Sequence, residues 1–496
     1  MNITNVISSI DFWGRHYPKR IAYDIGANTY TFSELLNYSD SLAAYLRISK
    51  YSGPILIYGE QEFEMIVSFL GAAKASLAYI PVSNKTPNNQ IKRMLVLAKP
   101  SVIIAIQELP IDIKDTPIIT KEKLTTIFTI NYKYNFISEK SLDRTFYIIF
   151  TSGTTGSPKG VQISHANLLH FINWQFKSLK LDTGLRYLSQ APFSFDLSVM
   201  SIYLALTSGG TIVSLKSNLN QNFKALFEAL SKLSLDIWIS TPSFIELSLK
   251  SIDFNSGCLK NIKSFIFCGE ELQNKTALSL IKIFPETKIY NTYGPTEATV
   301  ATTCIEISEK LLKKYPRLPI GYADNDAIAI ENSSDLGEII ITGANVSKGY
   351  LNNPIKTAES FFKSNHMQSY RTGDIGRIID GLLFYEYRRD FQLKLHGYRV
   401  ELEEIEYHLN NISIIEKAIV LPLYKDFSVK MLVSYIVLKE PNIDSNDAIK
   451  EIRINLLKTI YEYMIPSKFI FIPELPLTES GKIDRRKFFN YLNPIN

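Results

Sequence analysis

FTSGTTGSPKGV, residues 150–161, carries three glycines and five hydroxyl side chains in twelve residues. The preceding FYII (146–149) is aromatic and β-branched, the composition of a buried strand. The following SHANLLHFINW (164–174) begins with Ser164, a residue suited to cap a helix N-terminus. The spacing predicts strand, loop, helix. Backbone N–H groups in a glycine-rich turn at a helix N-terminus form an anion site, and Lys159 adds a cation. The order is not that of a P-loop, because Lys159 follows Gly156 by three residues with Pro158 between and no GK[ST] follows. Read alone, the stretch is either a phosphate cradle or an ordinary surface loop, since Gly, Ser and Thr are common turn residues.

Outward from this loop, strand-like and helix-like segments alternate. GPILIYG precedes the helical EMIVSFLGAAKAS, and AYIPV follows it; DIWIST, SFIFCG and KIYNTYG are short apolar strands separated by patterns such as NKTALSLIKIF. Such alternation predicts an α/β fold of parallel sheets covered by helices, with ligands beyond the carboxyl ends of the strands. Near residue 390 the texture changes. LEEIEYHLNNI reads as a helix, EKAIVLPLY and KMLVSYIVLK as strands, and AIKEIRINLLKTIYEYM as a second helix. The expectation is a large N-terminal domain over 1–389 and a small α+β domain over 390–496, hinged in the charged segment around Asp390.

Composition excludes several classes. With 54 Lys and Arg against 49 Asp and Glu, a net charge of +5 is spread thinly over 496 residues, so no nucleic-acid partner is expected. Three cysteines (Cys258, Cys268, Cys304) make no disulfide framework and no CxxC pair, and the six histidines are dispersed along the chain, so no zinc site is expected. The N-terminus lacks the apolar run of a signal peptide. MIVSFLGAAKASLAYIPV is broken by glycine and Lys74, and reads as a buried helix and strand rather than a membrane span. A cytoplasmic protein without stable membrane insertion, and a monomer, is expected.

Three further stretches bear on chemistry. NTYGPTEATVA joins an aromatic, Gly-Pro turn residues, hydroxyls and one acid: Tyr293 can stack on a purine, Thr296 can donate to a phosphate, and Glu297 can hold Mg²⁺. Its bland alternative is a strand exit with a solvated glutamate. YRTGD places Asp374 beside a glycine, where a carboxylate can accept from both ribose hydroxyls, or it is merely a turn. LPLTESGKIDRRKF presents Lys482 next to glycine, as a hairpin tip or a solvated lysine. Four nucleotide-compatible motifs in one chain are hard to attribute to chance.

In order and spacing these motifs resemble the acyl- and aminoacyl-adenylating enzymes, which include luciferases, acyl-CoA synthetases and nonribosomal adenylation domains. The resemblance spans essentially the whole chain. APFSFDLSVM, STPSF, FCGE, NTYGPTEATVA and KLHGYRVELEEIE are similar to the branch that loads D-alanine onto a carrier protein. That resemblance implies ATP as cosubstrate, with Thr151, Ser152, Gly153 and Lys159 at its phosphates. It implies Asn291, Thr292, Tyr293, Gly294, Pro295 and Thr296 around the adenine and α-phosphate, Glu297 on Mg²⁺, and Asp374, Tyr385 and Arg388 at the nucleoside. Lys482 would bridge the substrate carboxylate and the α-phosphate, with Thr151 and Glu297 sharing the catalytic centre. Asp196 would take the substrate ammonium, Cys268 and Val300 would line a small side-chain pocket, Asp390 would be the hinge, and Gly397 would lie on the face used for thiolation. Tyr387 stands where the family has glycine, which leaves a choice between Arg388 and Arg389 for the ribose arginine and bears on hinge kinetics.

The chemistry implied is attack of a carboxylate on the α-phosphorus of ATP, giving an acyl-adenylate and pyrophosphate, then thioester formation on the phosphopantetheine of a D-alanyl carrier protein. No general base is needed for the first step, because an amino-acid carboxylate is already ionised. The product would supply D-alanine to teichoic acid. The alternatives are a free-standing adenylation domain for L-alanine or another small amino acid, and an inactive adenylate-sensing scaffold. Asp196 and Cys268 each have a plain reading as well, as a helix N-terminal acid and a core thiol.

Overall fold

The computed structural model describes residues 2–130, 141–153, 158–215, 223–323, 328–331, 336–425, 428–440, 442–476 and 483–492. It divides into two compact units, one of residues 1–84, 97–150 and 160–387, the other of 85–96, 151–159 and 388–496.

The large unit is built on three sheets. In the first, of eight strands, Ser264–Phe267, Ile237–Ser240, Arg186–Ser189, Thr211–Ser214 and Ile21–Asp24 run in that spatial order, parallel throughout. Lys288–Tyr293 joins Ser264–Phe267 in parallel, and antiparallel strands Thr303–Glu306 and Thr29–Thr31 close the two edges. The second sheet orders Ile118–Thr120, Val102–Ala105, Ile55–Tyr58, Tyr79–Val82, Thr145–Thr151 and Lys159–Ser164. Its strands Val102–Ala105, Ile55–Tyr58 and Tyr79–Val82 are buried along their whole length, as parallel strands covered on both faces must be. The third sheet is antiparallel, with Met367–Ile379 between Leu382–Arg388 and Gly337–Thr342.

The longest apolar stretch is, as expected, a buried helix, Phe63–Lys74, followed by the buried strand Tyr79–Val82. Among the described residues no helix is long and apolar enough to cross a membrane. Lys74 is buried inside the large unit because two carboxylates meet it, Asp40 at 2.6 Å and Asp11 at 2.8 Å.

One expectation near the glycine-rich loop is corrected. The loop does not lead directly into a helix: Lys159–Ser164 is a strand neighbouring Thr145–Thr151, and only then does the helix His165–Leu179 start. Gly160, Val161, Ile163 and Ser164 are buried, so KGVQIS is held by the sheet and its apolar neighbours rather than by the helix. Ser164 does cap that helix, in a reciprocal pair with Asn167.

The small unit has its own core around Val400, Ile405, Leu409, Val420, Ile436 and Ile452. The hairpin Gln392–Leu395/Tyr398–Glu401 leads into the helix Leu402–Asn410, and Ile415–Lys425, Ser428–Leu438 and Lys468–Phe471 form a three-stranded sheet. The second helix ends earlier than its pattern predicts, at Leu457, and Glu462–Met464 is a single 3₁₀ turn. The β-branched pair Thr459–Ile460 disfavours helix, and Ile460 and Met464 turn into the core instead. The α/β class with a large N-terminal and a small C-terminal body is as the sequence predicts.

Candidate active site

In the large unit the NTYGPTEATVA segment runs from the strand Lys288–Tyr293 through a 3₁₀ turn, Thr296–Ala298, into Thr299 and Val300. Asn291 Nδ2 donates to the Pro319 carbonyl at 2.8 Å and Thr292 Oγ1 to the Phe267 carbonyl at 2.8 Å. These two side chains tie neighbouring backbone together. Tyr293 is placed differently: its hydroxyl donates to Asp374 Oδ2 at 2.6 Å, so two residues 81 apart in sequence share one spot. Tyr385 packs under the Arg317 guanidinium, 5.2 Å from ring centre to Cζ, and Arg317 is clamped by Glu271 at 2.6 Å.

Thr299 and Val300 have φ of 57° and 70°. Two successive β-branched residues in the left-handed region are strained, and the surroundings must hold them there. They do: Thr299 Oγ1 donates to the Asn345 carbonyl at 2.6 Å, the Thr302 N–H to the Tyr293 carbonyl at 2.7 Å, and Asn345 Nδ2 to Thr302 Oγ1 at 2.9 Å. The strained turn directs the Val300 carbonyl at Cys268 Sγ, 3.8 Å away. Cys268 is buried at the exit of the strand Ser264–Phe267, so the two expected pocket residues are brought together.

Glu297, fully buried, accepts from the Tyr350 hydroxyl at 2.8 Å, and its backbone carbonyl accepts from the Ser347 N–H at 2.8 Å. No cluster of three His, Cys, Asp or Glu side chains able to hold a metal occurs among the described residues. One carboxylate fits Mg²⁺ all the same, since that ion takes most of its ligands from phosphates and water. Asp196 precedes the wholly buried helix Leu197–Thr207 and makes no capping hydrogen bond. Burial and then the Asp196 charge push the Tyr147 hydroxyl well above its ordinary range, which leaves it a neutral donor near that carboxylate.

The small unit gathers the other expected residues. Ser152 Oγ donates to the Arg399 carbonyl at 3.1 Å, and Lys159 lies 3.9 Å from Glu401. Burial raises the Glu401 carboxyl against the pull of Arg399 and Lys159. Glu404 accepts from Gln90 Nε2 at 3.0 Å and from the Gly153 backbone; burial pushes its carboxyl up to about 7. These bonds explain why 85–96 and 151–159, expected within the large domain, group with the small unit. Thr151 Oγ1 is buried without a hydrogen-bond partner. Arg388 grips Asp390 in two parallel bonds of 2.8 Å. Burial raises the Asp390 carboxyl, but the Arg388 bonds outweigh it and hold the group below the usual range. His396 and Gly397, with φ of 51° and 86°, form the two-residue hairpin turn whose twist needs positive φ at both positions. Residues 154–157 of the glycine-rich loop, and Lys482, lie outside the described residues.

Sequence reasoning missed Tyr350, Asn345 and Glu338, which hold Glu297, Thr299 and Gly373. The signal was the segment GEIIITGANVSKGY (337–350), a strand with a glycine-rich exit like the others.

The AMP-binding enzyme family model matches residues 10–351, and that of the AMP-binding enzyme C-terminal domain matches 404–482. The chain is 44% identical over 504 residues to a D-alanine–D-alanyl carrier protein ligase of Lacticaseibacillus rhamnosus, covering 99% of this chain and 100% of that one. It is 42% identical to the ligase of the same name from Listeria welshimeri, covering 99% of each. Among solved structures it is similar to the Vibrio cholerae adenylation domain AlmE in complex with glycyl-adenosine-5'-phosphate (TM-score 0.80, 23% identity, 98% and 96% coverage). It is also similar to o-succinylbenzoate CoA synthetase from Bacillus subtilis (TM-score 0.81, 19% identity, 97% of each chain). At such identities these structures establish the fold alone. Matched over both of its regions, the chain belongs to the AMP-binding enzyme family.

Proposed function

We propose that the protein is the ligase that activates D-alanine with ATP and transfers it to the phosphopantetheine thiol of a D-alanyl carrier protein, for D-alanylation of teichoic acid. The observation that carries this reading is end-to-end similarity, at 40–44% identity, to ligases of that name. L-Alanine loading, the alternative, has no such support. We place the reaction in the cytoplasm, where ATP and carrier meet, and assign it to a monomer.

In the first step a D-alanine carboxylate oxygen bonds to the α-phosphorus as the bond to the bridging oxygen of pyrophosphate breaks. Asp374 and Tyr293, joined by their 2.6 Å bond, orient the nucleoside. Asp196 accepts from the ammonium, and Cys268 with Val300 bounds the methyl. Glu297 would hold a Mg²⁺, which would supply charge neutralisation at the phosphates. Lys482 stabilises the charge converging on the α-phosphate. In the second step the carrier thiol gives up its proton to solvent, its sulfur adds to the adenylate carbonyl, and AMP leaves with the electron pair of the broken C–O bond.

The test is amino-acid-dependent ATP–pyrophosphate exchange over a panel of D- and L-amino acids, followed by loading of the phosphopantetheinylated carrier. D-Alanine should stand out in both. Preference for L-alanine, or absence of exchange, overturns the reading.

A further inference from the structure

Glu338 and Asp374 belong to adjacent strands of the antiparallel sheet, and the register between them is interrupted. Gly337 pairs with Gly376 and Glu338 with Ile375, but Ile340 pairs with Arg371. Thr372, Gly373 and Asp374 therefore stand opposite the single residue Ile339. A bulge of this kind removes residues from the ladder and re-aims a side chain, and its backbone groups must find other partners.

Those partners are specific. The Gly373 N–H donates to Glu338 Oε1 at 2.8 Å, and the Asp374 N–H to Thr372 Oγ1 at 3.0 Å. Thr372 Oγ1 in turn donates to the Ile339 carbonyl at 2.7 Å. Gly373 has φ of 74°, which glycine adopts without strain and which leaves it the most permissive link in the segment. Glu338 is only 4% exposed, and its other oxygen faces Arg371 Nη1 at 3.6 Å. A carboxylate is costly to bury, so one that accepts from the backbone N–H of the bulge and faces Arg371 is there for geometry as well as stability. Asp374 is thus fixed from two ends, its backbone by Glu338 and Thr372 and its carboxylate by Tyr293.

We propose that Glu338, with Thr372, is a positioning residue for nucleoside recognition: it pins the bulge that holds the Asp374 carboxylate where it can accept from both ribose hydroxyls at once. This rests on the assignment of Asp374 to the ribose. Two hydrogen bonds to one carboxylate demand accurate placement, and a shift of about 1 Å in a supporting group is enough to lose such geometry.

The experiment is D-alanine-dependent pyrophosphate exchange with ATP, 2′-deoxy-ATP and 3′-deoxy-ATP, comparing kcat/KM ratios. Ratios do not depend on the fraction of folded enzyme, so a structural loss alone does not move them. The unmodified protein should prefer ATP roughly 10- to 100-fold over each deoxynucleotide, the worth of one bond to a charged group. Glu338→Ala should reduce that preference to a few-fold, through KM for nucleotide and with KM for D-alanine unchanged. Glu338→Gln should retain it, because the amide oxygen still accepts from Gly373. Thr372→Val, nearly isosteric, should lower it in the same sense and serves if Glu338→Ala does not fold. Full preference in both Glu338→Ala and Thr372→Val overturns the inference while leaving the function intact. Unchanged preference in Asp374→Asn refutes the ribose assignment itself, and the inference with it.

Discussion

Cys268→Ala tests the stereochemical wall. The thiol is buried and its sulfur lies 3.8 Å from the Val300 carbonyl, on a turn held at φ 70° by bonds to Asn345 and Tyr293. A strained, over-determined turn cannot move into the space left by the sulfur, so the space remains. It is about the size of a methyl group, which is also the difference in position between D- and L-alanine once ammonium and carboxylate are fixed. One methyl against a rigid wall is worth about 1–3 kcal/mol. The variant should therefore raise kcat/KM for L-alanine relative to D-alanine by roughly 5- to 150-fold, at 1.4 kcal/mol per tenfold. The assay is pyrophosphate exchange with each enantiomer, on protein whose circular dichroism matches the parent. An unchanged ratio removes Cys268 from the pocket, and a proportional loss with both enantiomers means the wall is packing rather than selectivity.

Lys482→Ala should lower exchange by roughly 10²–10³ while nucleotide binding survives, since one electrostatic stabiliser typically carries that much; near-normal exchange would refute the assignment. Asp390→Pro fixes a backbone angle and also removes the two 2.8 Å bonds from Arg388, so one half-reaction should fall steeply while the other is spared. Equal loss of both, with a lower melting temperature, would mean misfolding. The Glu404 carboxyl is raised from 4.5 to about 7, above its unfolded value, so its contribution to stability is full below 4.5 and disappears as pH climbs through 7. Glu404→Gln, neutral at every pH, should flatten the dependence of melting temperature between those values and gain up to roughly 3 kcal/mol at pH 8. A variant that follows the same pH profile as the parent would show that Glu404 is not the titrating group.

What the sequence by itself determined is whatever local pattern dictates. Short apolar runs such as DIWIS and SFIF gave the strands Ile237–Ser240 and Ser264–Phe267, because a strand buried on both faces needs continuous apolar side chains. Ser164 gave a helix start, since capping involves only neighbours three residues apart. The motifs gave the family, and with it the expected roles of Glu297, Asp374 and Lys482. Tertiary structure decided the rest. KGVQIS has only two apolar side chains among glycine and polar ones, so it does not announce itself as a buried strand, and becomes one only beside Thr145–Thr151. The strain at Thr299 and Val300 is invisible locally, because the bonds that impose it come from Asn345, some 45 positions away. YRTGD reads as a turn, yet it is a bulge inside a thirteen-residue strand, created by register with Gly337–Thr342 and pinned by Glu338. Local propensity fixes what a segment can be; which carboxylate meets which N–H depends on pairing across distances that no sequence window contains.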